Sequence, residues 1–571
     1  MDLFVIRAIT QELKAELSGG FIAKIYQMNR NDLILRVRRH AEHQLLISTH
    51  PDFFRIHLTR KKYANPMVPP RFCAYLRKHI TGARIQDIAQ DPYERVVRIV
   101  LEKKMDAGVT KTLVLAIELL GKGSNVLLLD GDTIMDCLHF RREAEGAARP
   151  ATPGLVYEPP SGSGRTPPSE MTRDKMEELV RCGGGPVWKA LADKISGLSP
   201  LLAREIAFGV GTPEALWERF HLLYNRFDAG SFEPKVAALL GGKKILIPFP
   251  LASLGSVSEH SYGSMNDAAD DYYFETVMKR QMGEQKENLA RRIRQLLTRL
   301  RRRRENLAAD REKFEKETAF RDYGEILTAN FPRMKKGMAE IEALDYRDEP
   351  PRAVVIPLDE SLDPAGNVQR YFKRYKRAKK GLEMTSQRIE ETGREEAYLD
   401  SVLYQVEGAE NPDDLESVRS ELEKGRILPA AKRKKTGKEK REPSLPVRKF
   451  RSSAGLEIFC GKHNIGNDFL LRRLARDNDL WFHVQGMPGS HVLLKAGREA
   501  PGYPSILEAA TVAAVYSSGS ASTRLPVDYT EARNVRRPKG AKPGMVNYFH
   551  QKTISVKPDK DLVGKLAVAE D

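Results

Sequence analysis

Asp479-Leu480-Trp481-Phe482-His483-Val484, with Met487-Pro488-Gly489-Ser490-His491-Val492-Leu493-Leu494 close behind it, decides how the C-terminal region of this chain folds. Strand-like apolar pairs flank a Pro-Gly turn, so the stretch reads as a hairpin. Trp481, Phe482, His483 and His491 give that hairpin an aromatic face with polar tips. Such rings suit stacking on exposed RNA bases. A plain core position for Trp481 fits the same residues. Around the hairpin, 447–560 has the pattern of an α+β domain. A first hairpin lies at Gly455–Gly461, helices at Asn467–Leu474 and Ser505–Tyr516, and a basic, turn-rich run from Asp528 to Gly544. Strands at 546–549 and 553–556 close it.

Residues 429–446 are polybasic, with Lys432-Arg433-Lys434-Lys435, Lys438, Lys440 and Arg441, and carry almost no apolar side chain. That composition predicts a disordered linker able to touch RNA. Before it, 276–428 reads as a long antiparallel coiled-coil hairpin. Leu289, Ile293, Leu296, Leu300 and Leu307 mark one arm; Leu382, Ile389, Glu396 and Leu403 share one heptad position on the other, with Leu399 and Val406 at a second. Arms of about 40 residues would each reach ~60 Å. Residues 320–375 break the heptads and predict a small head at the far end. The first arm carries Arg291, Arg292, Arg294, Arg299 and Arg301 to Arg304 with few acidic partners one turn away, which favours phosphate contact over a merely solvated face.

Residues 171–275 read as short-looped helices followed by a linker. Gly197-Leu198-Ser199-Pro200 combines a Gly turn, an N-cap Ser and a Pro at the first helical position. This is the chemistry of a helix-hairpin-helix unit, whose helix N-terminus offers N–H groups to a phosphate; an ordinary helical hairpin fits equally well. Residues 1–170 read as a mixed α/β domain: helix Ile6–Leu17 closed by Gly19-Gly20, strands at 32–38, 44–48, 55–58, 95–100, 112–117 and 125–132, a helix at 71–80, and a Pro/Gly/Ser-rich loop from Arg149 to Pro168. The fold class is thus multi-domain α+β.

The formal net charge is +17, far above what solubility needs and of the sign that phosphate backbones attract. Cys73, Cys137, Cys182 and Cys460 are widely separated, so neither zinc nor any other cofactor is expected, and buried thiols in a reducing cytoplasm are. Asp2 and Arg7 interrupt any signal-peptide pattern, and no stretch reaches the ~20 apolar residues of a membrane span.

Ordered blocks along the whole chain resemble the NFACT family. They are Leu46–Pro51 with Arg55-Ile56-His57, Phe72-Cys73 with Leu76–His79, Glu118–Asn125, Gly197–Pro200, Tyr323–Asn330, Asn367–Tyr375, the Trp481 hairpin, and Val527–Thr530 with Gly540–Gly544. The resemblance implies a ribosome quality control factor that binds large ribosomal subunits still carrying peptidyl-tRNA. It implies contacts with rRNA and a stalk-base protein, recruitment of alanine tRNA, a small RqcP-like RNA-binding partner, and C-terminal alanine tails on the nascent chain. Peptide transfer would belong to ribosomal RNA, so no catalytic residue is expected. It places tRNA contacts at Glu94, Arg95, Lys122, Asn125, Trp481, His483 and His491, and ribosome contacts at Arg301, Arg302, Asn330, Tyr371 and Lys373. One position departs: the family carries an Asp-Arg pair where this chain reads Glu94-Arg95, one methylene longer.

Competing chemistries fit less well. The N-terminal region and helical hairpin also resemble formamidopyrimidine-type DNA glycosylases, which use an N-terminal proline amine, but Met1-Asp2 begins this chain. A fibronectin-binding adhesin would require export, for which the sequence carries no signal. His483 and His491 lack a third ligand at metal spacing, and Gly121-Lys122-Gly123-Ser124 lacks the spacing of a phosphate loop.

Overall fold

Asp2 accepts a hydrogen bond from the Phe4 N–H at 3.0 Å and so caps helix α1 (Leu3–Leu17). After Ser18 the chain reverses at Gly19, whose φ of +85° is the left-handed conformation that glycine adopts without steric cost. The computed structural model describes residues 1–63, 66, 68–104, 109–142, 149–160, 164–182, 185–347, 350–429, 445–497 and 500–568. The linker expected at 429–446 lies, from 430 to 444, outside the described residues. The described residues form two compact units, 1–280 and 281–568.

In the first unit, β1 (Phe21–Gln27), β2 (Asp32–Arg38), β3 (Glu42–Ser48), β4 (Arg55–Leu58), helix α2 (Arg71–Ile80), β5 (Arg84–Gln90), β6 (Val96–Lys104), β7 (Thr110–Glu118), β8 (Asn125–Asp130) and β9 (Thr133–Cys137) follow α1. The strands make one antiparallel sheet in the order β4-β3-β2-β1-β5-β6-β7-β8-β9. Ile6, Ile9, Leu13 and Leu17 of α1 share a buried core with Ile22, Leu33, Leu35, Ile85 and Ile99. The sequence pattern does not reveal β1 and β5. Each carries a register shift, between Ile22 and Lys24 and between Ile85 and Asp87, which breaks the alternation that marks a strand.

Helices α3 (Arg173–Cys182), α4 (Val187–Lys194), α5 (Pro200–Ala207) and α6 (Pro213–Ala229) come next. Ser199 caps α5 through the Leu202 N–H, with Pro200 as its first residue. The linker expected before 275 instead contains a three-stranded sheet of β10 (Lys235–Ala238), β11 (Lys244–Ile247) and β12 (Ser258–Ser261), in the order β11-β10-β12. Its strands have four residues each, and β12 is exposed throughout, so neither length nor alternation betrays it.

Helix α7 (Met265–Glu317) begins in the first unit and continues into the second. There α8 (Phe320–Ala329), β13 (Glu340–Asp345), β14 (Arg352–Pro357), α9 (Pro364–Gly408) and α10 (Pro412–Lys424) follow. Ala290, Ile293 and Leu297 of α7 share a core with Tyr398, Leu399, Val402 and Val406 of α9. Ascending positions on α7 meet descending ones on α9, as in Arg294–Glu407 and Arg301–Glu396, so the two helices run antiparallel. The second arm ends at Gly408, just past its last heptad position, Val406, and short of the expected boundary at 428, because Asn411 caps a new helix that starts at Pro412. In the head, α8, β13 and β14 gather Leu327, Ile341, Ile356 and Tyr371 into a separate cluster.

The C-terminal region comprises β15 (Val447–Arg451), β16 (Glu457–Gly461), α11 (Asn464–Phe469) with a π-helical turn at Leu470–Leu474, β17 (Leu480–Val484), β18 (Val492–Leu494), α12 (Tyr503–Val515), β19 (Leu525–Glu531), β20 (Val535–Arg536), β21 (Asn547–Tyr548), β22 (Lys552–Val556) and α13 (Lys560–Leu566). Six strands form a sheet in the order β15-β16-β18-β17-β19-β22. The Trp481 hairpin is its centre, with Leu480 paired to Leu494 and Phe482 to Val492. Asp528-Tyr529-Thr530, expected within a turn-rich run, lies in β19 beside β17 instead. Phe482, Val484, Val492 and Leu494 face the alanine-rich side of α12, a fully apolar contact.

Candidate nucleic-acid interface

In the first unit, Asp91-Pro92-Tyr93-Glu94 turns β5 into β6. Tyr93 holds φ at +55°, a conformation that costs a bulky residue about 1 kcal/mol or more. The surroundings enforce it. Its ring stacks on Phe227 with centroids 5.9 Å apart, and a Cβ on Gly197 would come within 2.7 Å of the Tyr93 carbonyl oxygen. The Gly197 turn before α5 therefore props this corner.

Beyond the turn, Gln90 donates to the Glu94 carbonyl at 2.9 Å and the Leu119 N–H donates to the Arg95 carbonyl at 2.8 Å, so the backbone of both residues is fixed. Arg95 itself is exposed and Glu94 half-buried. Burial raises the Glu94 carboxyl above its ordinary range, while Arg95 pulls it back. Next to them Arg98 binds Asp91 through two hydrogen bonds, at 2.7 and 3.0 Å, and lies 5.3 Å from the Tyr157 ring. The sequence reading missed Arg98. Its signal was the Asp91 and Arg98 pair flanking a turn.

Lys122 is exposed in a tight turn at Gly121–Gly123, on the strand connection that leaves Glu118. Asn125 is not available to a ligand. It is fully buried, donates to the His139 carbonyl at 2.8 Å and accepts from the N–H groups of Val126 and His139. Its two bonds with His139 staple β8 to the loop beyond β9. Glu118, fully buried, accepts from Arg141, Arg149 and Tyr157.

In the C-terminal sheet the register gathers the predicted aromatic face, and the chain then covers all of it but His483, which is half-buried. His483 stacks on Trp481 at 5.8 Å, His491 meets Trp481 edge-on at 5.1 Å, and Tyr548 closes over the indole at 4.9 Å. Trp481 and Phe482 have no exposed surface, so neither offers a ring face to a base. Burial lowers the His483 pKa to about 4 and holds that of His491 well below the usual range, so both rings are neutral at pH 7. Asp528 accepts from Tyr548 at 2.9 Å and from Thr553 at 2.6 Å, which fixes the cover in place. Tyr548 is far from the hairpin in sequence, which is why its position above Trp481 was not foreseen.

On the arms, Arg301 donates to buried Glu396 at 2.8 Å and Arg304 reaches the same carboxylate at 2.8 Å, so Arg301 serves the seam between the helices. Arg302 is exposed. In the head, Asn330 closes α8 by donating to the Ile326 carbonyl at 2.9 Å, and buried Tyr371 donates to the Pro357 carbonyl at 2.6 Å. Lys373 is exposed. Arg95 and Lys122 in the first unit, and Arg302 and Lys373 in the second, are thus predicted site residues presented to solvent. Among the described residues no helix is long and apolar enough to cross a membrane.

Comparison with known proteins agrees from end to end. The pattern of the NFACT N-terminal and middle domains matches residues 2–442, and that of the NFACT protein RNA binding domain matches residues 447–549. The chain is 33% identical to the Rqc2 homolog RqcH of Bacillus subtilis over 564 residues, 98% of each chain. It is 30% identical to the Rqc2 homolog RqcH of Streptococcus pneumoniae over 574 residues, 99% of each chain. Among solved structures, the fibrinogen binding protein from Staphylococcus aureus aligns at a TM-score of 0.43 and 27% identity, over 48% of this chain and 98% of that one. With both parts matched and the identity sustained over nearly its whole length, the chain belongs to the NFACT family.

Proposed function

We propose that this chain is a non-enzymatic, cytoplasmic factor of ribosome-associated quality control. It binds large ribosomal subunits that carry peptidyl-tRNA, recruits alanine tRNA, and leaves the addition of C-terminal alanine tails to ribosomal RNA. The tails mark the nascent chain for degradation. In this reading 1–170 and the helix-hairpin-helix region at 171–275 hold tRNA, and 447–560 contacts RNA. The coiled-coil hairpin at 276–428 carries its head, 320–375, to rRNA and the stalk-base protein. A small RqcP-like protein assists, and no cofactor takes part.

One observation carries the reading: the identity with RqcH proteins spans the arms and head as well as both flanking parts. The charge supports it. A surplus of +17 suits a polyanionic partner, and Arg95, Lys122, Arg302 and Lys373 stand in solvent. Sedimentation with purified ribosomal particles tests it. Binding to isolated large subunits bearing peptidyl-tRNA, and not to intact ribosomes, is expected. Equal binding to both would count against it.

A further inference from the structure

Two pockets lie beside strands β1 to β4. The larger, about 740 Å³, is lined by Glu12, Glu16, Glu42 and Asp267 with His43 and Arg60, and its carboxylates repel phosphate. The smaller, about 280 Å³, is lined by Tyr26, Ile34, Arg36, Gln44, Lys62 and Tyr63, with no carboxylate among them. We propose that this smaller pocket takes a single nucleotide unit, its base against a tyrosine ring and its phosphate on Arg36 and Lys62. The inference rests on the RNA-binding reading above and names a site within it.

Strand register builds the pocket. Tyr26 pairs with Ile34, and Arg36 pairs with Gln44 one pleat further along the same face. Ile34 is only 3% exposed and forms an apolar floor, while Tyr26 and Tyr63 are half-buried. Two arginines beside the Tyr26 ring are held rather than loose. Arg36 binds Glu42 at 3.1 Å and lies 5.5 Å from the Tyr26 ring; Arg77, fixed by its hydrogen bond to the Ile25 carbonyl at 2.8 Å, lies 5.6 Å from that ring. The Arg36 Nε is enclosed and has no acceptor among the described residues. With Nε closed off, it is the outer end of the guanidinium, part of a side chain that is 32% exposed, that is open to a phosphate oxygen. Two phenol rings, an apolar floor, an amide and paired cations are what an unstacked base and its phosphate require. The volume falls just under the ~300–1,000 Å³ common for ligand sites and suits one nucleotide rather than a duplex. The nucleotide is either an unpaired residue of RNA or a free nucleoside monophosphate; the position of the pocket in an RNA-binding chain favours the former.

The test uses the full chain. Affinity for tRNA is measured with and without Tyr26→Ala, Tyr26→Phe and Arg36→Gln, and thermal melting reports folding. 4-Thiouridine-substituted tRNA is photo-cross-linked and the attached peptides mapped. Tyr26→Ala and Arg36→Gln should each weaken tRNA about fivefold or more while Tyr26→Phe binds normally, and cross-links should fall on the peptides holding Tyr26 or Tyr63. Should Tyr26→Ala fail to fold, the half-buried Arg36→Gln decides alone. Normal tRNA affinity in the variants, with cross-links elsewhere, rules out RNA as the occupant of the pocket and leaves the RNA-binding reading standing. Failure of the unaltered chain to bind tRNA overturns that reading. In either case titration with nucleoside 5′-monophosphates separates the sources: binding lost in Arg36→Gln makes the occupant a free nucleotide, and no binding rejects the site.

Discussion

Gln405 and Asn464 grip each other at both ends: Gln405 Nε2 donates to Asn464 Oδ1 at 2.6 Å, and the Asn464 N–H donates to Gln405 Oε1 at 3.1 Å. The pair ties α9 to the first residue of α11. Glu421 of α10 joins it, accepting from Asn464 Nδ2 at 3.1 Å and from the Tyr398 hydroxyl at 2.7 Å. Lys542, within a motif that reads from sequence as a basic turn, lies 4.5 Å from the Tyr398 ring. The C-terminal sheet is thus fastened to the base of the paired helices by a buried polar joint.

Breaking the joint from one side leaves buried groups without partners. Gln405→Ala should lower stability by about 1–3 kcal/mol in urea unfolding. Gly544→Ala should act in the same direction, because φ there is +76° and a Cβ would collide with Asn464. Hydrogen exchange should locate the loss in α11 and the end of α9.

Glu421 makes the joint sensitive to pH. Burial raises its carboxyl above the ordinary range, although the hydrogen bonds from Tyr398 and Asn464 pull it down. The folded state therefore holds this proton more tightly than the unfolded state. The associated stability is full below the unfolded carboxylate range and is lost as pH rises through the folded pKa. Glu421→Gln keeps an acceptor for both donors and removes the titration. Its melting temperature should exceed that of the unaltered chain at pH 8 and converge with it near pH 4.

Arg301 and Arg302 are neighbours in different settings: Arg301 is paired with Glu396 and Asp400, and Arg302 is exposed. Arg301→Ala should cost about 1 kcal/mol of stability, since Glu396 keeps only Arg304. Arg302→Ala should leave melting unchanged but weaken large-subunit binding and reduce the salt slope of that binding by about one. Sedimentation across a salt series, alongside melting curves, separates the two.

Glu94→Ala combined with Arg95→Ala should abolish tRNA co-purification and leave folding intact, because Tyr93, Gln90 and Leu119 hold the turn through backbone and ring contacts. Normal tRNA recovery by this variant would remove the pair from the interface.

Much of this fold is legible in the sequence where one face of an element is apolar and the register is regular. The strands around 32–38 and 55–58, the helix at 71–80 and the Trp481 hairpin all lie where alternation or helical period puts them. Strands β1 and β5 escape because a shifted register spoils their alternation. The site is legible as residue types but less so as surfaces. Asn125 and Trp481 look like binding residues until His139 and Tyr548, both brought in by tertiary pairing, are seen to occupy them. Arg301 looked like a free cation because Glu396, its partner, is 95 residues away in sequence.

A tagged pull-down from the native cells in moderate salt, with sequencing of the bound RNA, tests the central claim most directly. Large-subunit rRNA together with one enriched tRNA species, expected to be alanine tRNA, is the predicted result. Recovery of neither RNA would contradict the ribosomal role.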